Sequence, residues 1–88
     1  VRGDSMEPTL MEGDLLLIDL NRNYIDPPGG IYALYINDTI VAKRVQVISQ
    51  GGKLRIISDN PKYETIDADP DQIGVNGKVI WFARELER

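Results

Sequence analysis

Histidine and cysteine are both absent from the 88 residues of this chain. Their absence excludes a Ser-His-Asp triad or a Cys-His dyad within the chain, and also zinc sites built on Cys and His. An activated serine here would therefore need a lysine as its general base. The lack of cysteine also fits the cytoplasm, where we expect the protein to act.

Long apolar runs are missing as well. The longest, Leu15-Leu16-Leu17-Ile18, is far shorter than the roughly 20 residues that a membrane helix needs, so we expect no membrane contact. The net charge of -4 argues against direct DNA contact by these residues, because nucleic-acid binding needs a basic patch. The chain opens on Val1 with no signal-peptide pattern, and we expect it to be part of a longer protein.

The acidic residues do not follow a metal-binding pattern. In the segment 67–71 a proline replaces a coordinating position of an EF-hand loop, so we expect neither a metal nor another cofactor. The simplest interpretation of Asp67, Asp69 and Asp71 is a solvated loop. The triplet Asp59-Asn60-Pro61 is likewise interpreted as a turn.

Apolar runs rich in Val, Ile, Leu and Tyr predict one all-β domain over residues 1–88. The predicted strands are 14–20, 30–36, 39–49, 53–58 and 74–83. Asn37-Asp38 predicts a two-residue hairpin turn, Gln50-Gly51-Gly52 a second hairpin loop, and residues 8–12 a short helical turn ending at Gly13. Tight turns between close strands favour small, coiled antiparallel sheets with a barrel-like part.

The stretch GDSMEPTL contains the first candidate, Ser5. Asp4-Ser5 ahead of Pro8 is also typical of an ordinary turn or a helix cap. In favour of a nucleophile, Gly3 allows the backbone to approach closely, and N–H groups in a tight turn could point at an oxyanion.

Lys43 is the candidate base because of its position on a predicted strand. Alternation along residues 39–47 places it on one face with Val41, Val45 and Val47. Burial there would disfavour the ammonium and lower the lysine pKa, making a neutral amine accessible. The alternative is a lysine that extends past the valines to solvent.

These residues together resemble a known family. GDSMEPTLMEGDLLLID, followed 38 residues after its serine by VAKRV, resembles the peptidase S24 domain of LexA, phage CI-type repressors and UmuD proteins. The resemblance continues through SDNPKY and GKVIW and covers essentially the whole chain. It implies a LexA-like fold related to type I signal peptidases, with Ser5 as nucleophile, Lys43 as general base and the Ser5 backbone N–H as oxyanion donor. Signal peptidases share the opening motif, but they need a membrane anchor and a longer downstream motif.

The resemblance also implies a function. It predicts the C-terminal domain of a repressor that cleaves its own chain upstream of the serine, when stimulated by a RecA filament. A DNA-binding N-terminal domain would lie outside this chain, and so would the cleaved bond, because only Val1 to Asp4 precede Ser5. A UmuD-like self-processing protein is an alternative. One departure is Val41, where some relatives carry a threonine that can bond the lysine amine.

A second hypothesis is a non-catalytic dimerisation module. Residues 79–83 carry large apolar side chains on both faces, and Trp81 and Phe82 are the candidate interface of a homodimer. A strand buried on both faces would give the same pattern.

Overall fold

The computed structural model describes residues 1–48 and 52–86 and is built from antiparallel strands. The strands are β1 (Leu15–Asp19), β2 (Gly29–Ile36), β3 (Thr39–Val47), β4 (Leu54–Ile57), β5 (Ile66–Ala68) and β6 (Gly74–Ala83), with a 3-10 turn at Pro70–Gln72. They form one six-stranded sheet in the order β1-β6-β2-β3-β4-β5. The predicted all-β antiparallel fold is confirmed. The part of the chain that the structure describes holds no helix of the length and apolar character needed to cross a membrane.

All five predicted strands are present, with ends that differ by one or two residues where the structure describes them. Strand β5 was not predicted. It has only three residues and pairs with β4 alone, so its stability comes from the ladder rather than from a pattern of its own. Ser49 and Gln50-Gly51 of the predicted second hairpin lie outside the described residues.

The hairpin between β2 and β3 has the predicted two-residue turn. Asn37 and Asp38 adopt φ angles of 51° and 62°, and Ile36 pairs with Thr39. Two successive positive φ angles give a turn whose twist matches that of the flanking strands. This turn fixes the register that carries Lys43 on β3.

The core lies on one face of the sheet. Its buried members are Tyr32, Leu34, Val45, Leu54 and Ile56 from the adjacent strands β2, β3 and β4. Val41 and Val47 pack against this cluster, which shows the apolar face of β3 expected from its alternation. The side chain of Lys43, which lies between these two valines on β3, therefore leaves the strand at the edge of the apolar core.

Two register shifts bend the sheet where β6 meets its neighbours. One lies between Leu17 and Ile18 of β1, and the other between Ala33 and Leu34 of β2. Gly77 lies in this region, and a Cβ there would come within 2.6 Å of the Asp19 carbonyl oxygen. Such bulges increase the local twist of a strand. The structure has one sheet rather than the several small sheets that the sequence predicts.

The segment that carries Ser5 lies outside the sheet. Met6 and Leu10 are buried, and the Leu10 N–H donates to the Met6 carbonyl over 2.9 Å, which closes a single turn. The prediction of a helical turn at 8–12 was therefore placed too late. The turn centres on the two buried apolar residues because their burial, four residues apart, determines where it forms.

The acidic residues near the 3-10 turn are exposed, but they do not form a simple loop. Asp67 lies on β5 and forms an ion pair with Arg55. The Asp69 N–H donates to the Gln72 side chain at the start of the 3-10 turn, where Asp71 also lies. The loop prediction was wrong because backbone pairing with β4 outweighs the weak strand preference of Asp67.

Candidate active site

The structure brings Ser5 and Lys43 together. The Lys43 Nζ atom lies 2.9 Å from the Ser5 Oγ atom, although the two residues are 38 positions apart. The same Nζ atom lies 2.9 Å from the Ser58 Oγ atom. The amine thus has two hydroxyl partners, and no carboxylate among the described residues forms an ion pair with it.

Lys43 reaches this position because its strand places it beside the core. Its side chain is half-buried, and burial lowers its pKa below the ordinary lysine value because a desolvated ammonium is disfavoured. The Tyr63 ring centre lies 5.8 Å from Nζ, where it can still attract the charged form. A depressed pKa increases the fraction of neutral amine, the form that can accept a proton from a serine.

The loop after β4 holds the turn that carries the candidate nucleophile. The Asn60 N–H donates to the Ser5 carbonyl oxygen over 2.9 Å, and the Asn60 side-chain amide donates to the Asp4 carbonyl oxygen over 2.9 Å. The Tyr63 hydroxyl donates to the Asp4 carboxylate. These contacts fix the backbone on both sides of the peptide that joins Asp4 to Ser5.

A second attachment uses a half-buried ion pair. Arg44 donates two hydrogen bonds of 2.8 Å to the Asp59 carboxylate, which also accepts one from the Thr9 hydroxyl. Hydrogen bonding to Arg44 is the main reason that the pKa of Asp59 lies below its usual value. The carboxylate therefore links β3 to the segment that follows Ser5.

A third attachment joins the N-terminal segment to the end of β6. The buried Asp14 carboxylate accepts bonds of 2.8 Å and 2.6 Å from Arg84, and a further one from the Met11 N–H. The Arg84 hydrogen bond, reinforced by the Met11 N–H, lowers the pKa of Asp14 to about 2 against the opposing effect of burial. Asp14 is thus ionised at neutral pH and fully paired.

The Ser5 backbone N–H is the predicted oxyanion donor. Within residues 1–48 and 52–86, no acceptor takes a hydrogen bond from it. Gly3, two residues earlier, has a φ of 76°, which a side chain would disfavour. This N–H is therefore available to an oxygen that develops negative charge beside the Ser5 hydroxyl.

An apolar groove of about 350 Å³ opens beside Ser5. Its lining includes Leu16 and Ile18 of β1 and Ile40 and Val41 of β3. Val41 thus contributes to the groove wall and offers the lysine no hydroxyl. The groove is suited to an extended apolar segment of chain.

The candidate interface lies at the end of β6. Trp81 is 60% exposed and lies opposite Leu17 of β1, which is 53% exposed, and Leu15 on the same strand is 72% exposed. Phe82 is also substantially exposed. The alternative of a strand buried on both faces is therefore wrong for this part of β6.

Three residues near the dyad were missed in the sequence. Ser58 was not identified as a site residue, although it bonds the same amine. Asn60 was interpreted only as part of a turn, and Tyr63 was not singled out. The pairing of β3 with β4 could have identified Ser58, because the next step along this antiparallel register places Ser58 opposite Lys43. That pairing is not known from the sequence alone.

Metal binding finds no support in the described residues, which contain no group of three or more acidic side chains arranged to hold an ion.

Comparison with known proteins agrees with the resemblance seen in the sequence. The chain is 35% identical over 83 residues to the 26 kDa repressor protein of Escherichia phage HK022 and 34% identical over 84 residues to the repressor protein CI of Enterobacteria phage phi80. These matches cover 91% and 92% of this chain but only 34% of each relative. A LexA repressor of Dechloromonas aromatica is 32% identical over 87 residues, which are 96% of this chain and 41% of that protein. The family model described as Peptidase S24-like matches residues 1–80, and the chain therefore belongs to the Peptidase S24-like family.

Proposed function

We propose that residues 1–88 form the C-terminal domain of a transcriptional repressor that cleaves its own chain, with Ser5 as nucleophile and Lys43 as general base. The observation that supports this most directly is the 2.9 Å contact between the Lys43 amine and the Ser5 hydroxyl. The lowered pKa of the lysine and the open N–H of Ser5 support it further. The relatives named as repressors supply the biological setting.

The first half of the reaction forms an ester. As the Ser5 Oγ atom bonds to the carbonyl carbon of the scissile peptide, its proton passes to the neutral Lys43 amine. The carbonyl electrons move onto oxygen, and the Ser5 N–H stabilises the resulting oxyanion. When this intermediate collapses, the C–N bond breaks and the Lys43 ammonium returns its proton to the departing amine.

The second half restores the enzyme. Lys43 takes a proton from water as the water oxygen bonds to the ester carbon. The ester C–O bond then breaks, and Ser5 recovers its proton from the ammonium. One water is consumed for each peptide bond cleaved, and no atom changes its oxidation state.

The rest of the protein is part of the same proposal. The chain spans about a third of the length of the phage repressors it matches, 34% in each case. A DNA-binding N-terminal domain would precede this one, and the cleaved bond would lie in the linker between them. Cleavage, stimulated by a RecA filament in the cytoplasm, would separate the domains and remove the gain in operator affinity that a tethered dimer provides.

The test is covalent labelling of the 88-residue chain with a phosphonofluoridate, which needs no cleavable peptide. The Ser5 oxygen bonds to phosphorus, fluoride leaves and the proton passes to Lys43. We expect a labelling rate that rises with pH between about pH 6 and pH 10 as the lysine loses its proton. Ser5→Ala and Lys43→Ala should abolish labelling, and the exposed Lys53→Ala is the matched control.

Failure of the wild-type chain to label at any of these pH values would rule out an activated serine. Self-cleavage of the longer protein, followed on a gel over the same pH range, then tests whether the activated serine acts on its own chain. A product that forms equally well in the Ser5→Ala protein would contradict the proposal.

The exposed apolar strip of Leu15, Leu17 and Trp81 favours a second function, self-association into a homodimer. These side chains are large, apolar and exposed, and two of them belong to β1, the strand at the edge of the sheet. We expect Trp81→Lys to convert a dimer to a monomer in sedimentation equilibrium while Ser5 labelling persists. If the wild-type chain forms a dimer but Ser5 is not labelled, the domain serves only in assembly. A UmuD-like self-processing protein would show both labelling and dimerisation, but it would lack a DNA-binding domain.

A further inference from the structure

Ser58 lies directly across the sheet from Lys43. The β3–β4 ladder pairs Arg44 with Ile57 and Val45 with Ile56. One further step along this antiparallel register brings Ser58 opposite Lys43, on the same face of the sheet. Paired residues have Cβ atoms about 5 Å apart, so a short hydroxyl side chain can reach the end of a lysine that bends back over it.

The contact observed is a hydrogen bond of 2.9 Å in a buried setting. Ser58 is among the few buried polar residues of the domain, and its Oγ atom accepts from the Lys43 amine. A neutral amine has two N–H groups and one lone pair. If one N–H is directed at Ser58, the lone pair is free to point at the Ser5 hydroxyl, which lies at the same distance on another side.

Among the described residues, only the two serine hydroxyls form hydrogen bonds with this amine. A lysine amine rotates freely on a flexible four-carbon stem, and Lys43 has no carboxylate partner to limit that rotation. Val41 is apolar and lines the groove instead. Ser5 cannot orient its own base once its proton has begun to leave.

We propose that Ser58 is a positioning residue: its hydroxyl fixes the Lys43 amine so that the lone pair faces Ser5. The inference rests on the proposed function of the Ser5–Lys43 pair and extends it to a third side chain. Ser58 forms no bond to the substrate and donates no proton in the reaction.

The hydroxyl also affects the charge state of the lysine. An ammonium donates a stronger hydrogen bond than a neutral amine does, so Ser58 stabilises the charged form and partly offsets the effect of burial on the Lys43 pKa. Removing the hydroxyl should therefore lower the pKa of Lys43 further, while the amine loses its orientation.

Other groups near the amine act on its charge and remain unchanged in the variants. Tyr32 faces Lys43 from β2, and the Tyr63 ring approaches from the loop after β4. Asp4 is bonded to the Tyr63 hydroxyl on the N-terminal side. The positive charge of the neighbouring Arg44 is balanced by the Asp59 carboxylate in their ion pair.

The experiment measures phosphonofluoridate labelling against pH for the 88-residue chain and for Ser58→Ala, Ser58→Thr and Thr65→Ala. We expect Ser58→Ala to lower the plateau rate by about tenfold or more, because the base is no longer oriented. The midpoint of its pH profile should move to lower pH, and so should the Lys43 side-chain titration followed by NMR. Ser58→Thr keeps a hydroxyl and should restore both quantities, whereas Thr65→Ala removes an exposed hydroxyl and should change neither.

A Ser58→Ala profile with an unchanged plateau would overturn the inference while leaving the proposed function intact. A lower plateau with an unchanged midpoint and NMR titration would also overturn it, because loosened packing alone gives that result. If Ser58→Ala does not fold, Ser58→Cys replaces it, since a thiol is a poor acceptor of similar size and should show the same two changes. Absence of labelling in the wild type at every pH would overturn the proposed function and this inference with it.

Discussion

Replacing Asn60 by alanine tests whether the loop after β4 holds the turn that carries Ser5. The side chain is buried, donates to the Asp4 carbonyl oxygen over 2.9 Å and accepts from the Lys62 N–H over 3.0 Å. Each neutral bond contributes about 1 kcal/mol to stability, and the partly buried Asp4 carbonyl left without its donor costs about 1 kcal/mol more. We expect Asn60→Ala to reduce the free energy of unfolding by about 2–3 kcal/mol.

Urea unfolding followed by far-UV circular dichroism measures this loss, which corresponds to a fall in Tm on the order of 10–20 °C for a domain of this size. The urea dependence should stay constant, because the same surface is exposed on unfolding. The rate of Ser5 labelling should fall in the folded variant, since the peptide between Asp4 and Ser5 loses one of its fixed points.

Asn76→Ala provides the matched control. The Asn76 side chain donates one hydrogen bond, to the Tyr35 hydroxyl at an exposed position away from the dyad. Its removal should change the free energy of unfolding by less than about 0.5 kcal/mol and leave labelling unaffected. Equal effects from the two substitutions would refute the argument that the Asn60 contacts hold the turn.

Three further predictions concern the scaffold. Leu34→Ala removes a fully buried side chain and should cost about 2–5 kcal/mol in urea unfolding, against less than about 0.5 kcal/mol for the fully exposed Leu86→Ala. The folded-state pKa of Asp14, about 2, lies below its unfolded value. The stability that this carboxylate contributes is therefore complete above the unfolded pKa and is lost as the pH falls towards 2. Asp14→Asn should be less stable at neutral pH, and its urea midpoint should depend less on acid pH. Gly29→Ala places a Cβ atom 2.0 Å from the Val45 carbonyl oxygen at a φ of 135°. Its Tm should fall by more than that of Gly74→Ala, an exposed position without a positive φ.

Each of these predictions has an outcome that contradicts it. A Leu34→Ala protein as stable as Leu86→Ala would mean that the core does not depend on this side chain. An Asp14→Asn protein with the wild-type acid profile would show that other carboxylates control acid unfolding. A stable Gly29→Ala protein would mean that β2 can shift away from β3 at little cost.

The sequence predicts the strands well where pattern and turn agree. The valines around Lys43 and the Asn37-Asp38 turn are local signals, and together they specify both the face of β3 and its register with β2. Ile66–Ala68 could not be recognised in the same way, because a three-residue strand has too few positions to show alternation and depends on β4 for its pairing.

The candidate site is less accessible to such reasoning. Lys43 and Ser5 were identified from a motif, but the partners that hold them come from distant positions. Thr9 and Asp59 are separated by 50 residues, Asp4 and Tyr63 by 59, and Asp14 and Arg84 by 70. Periodicity describes neighbours within one element, and it carries no information about which elements meet.

The attachment of the Ser5 turn to the other end of the chain imposes an order of events during protein synthesis. Ser5 is synthesised before Lys43, which follows 38 residues later, and Arg84 follows Asp14 by 70 residues. A ribosome adds about 5–20 residues per second, so the serine spends seconds without the contacts that position it. The segment that carries Ser5 therefore gains its attachment to Arg84 only after β6 has been made.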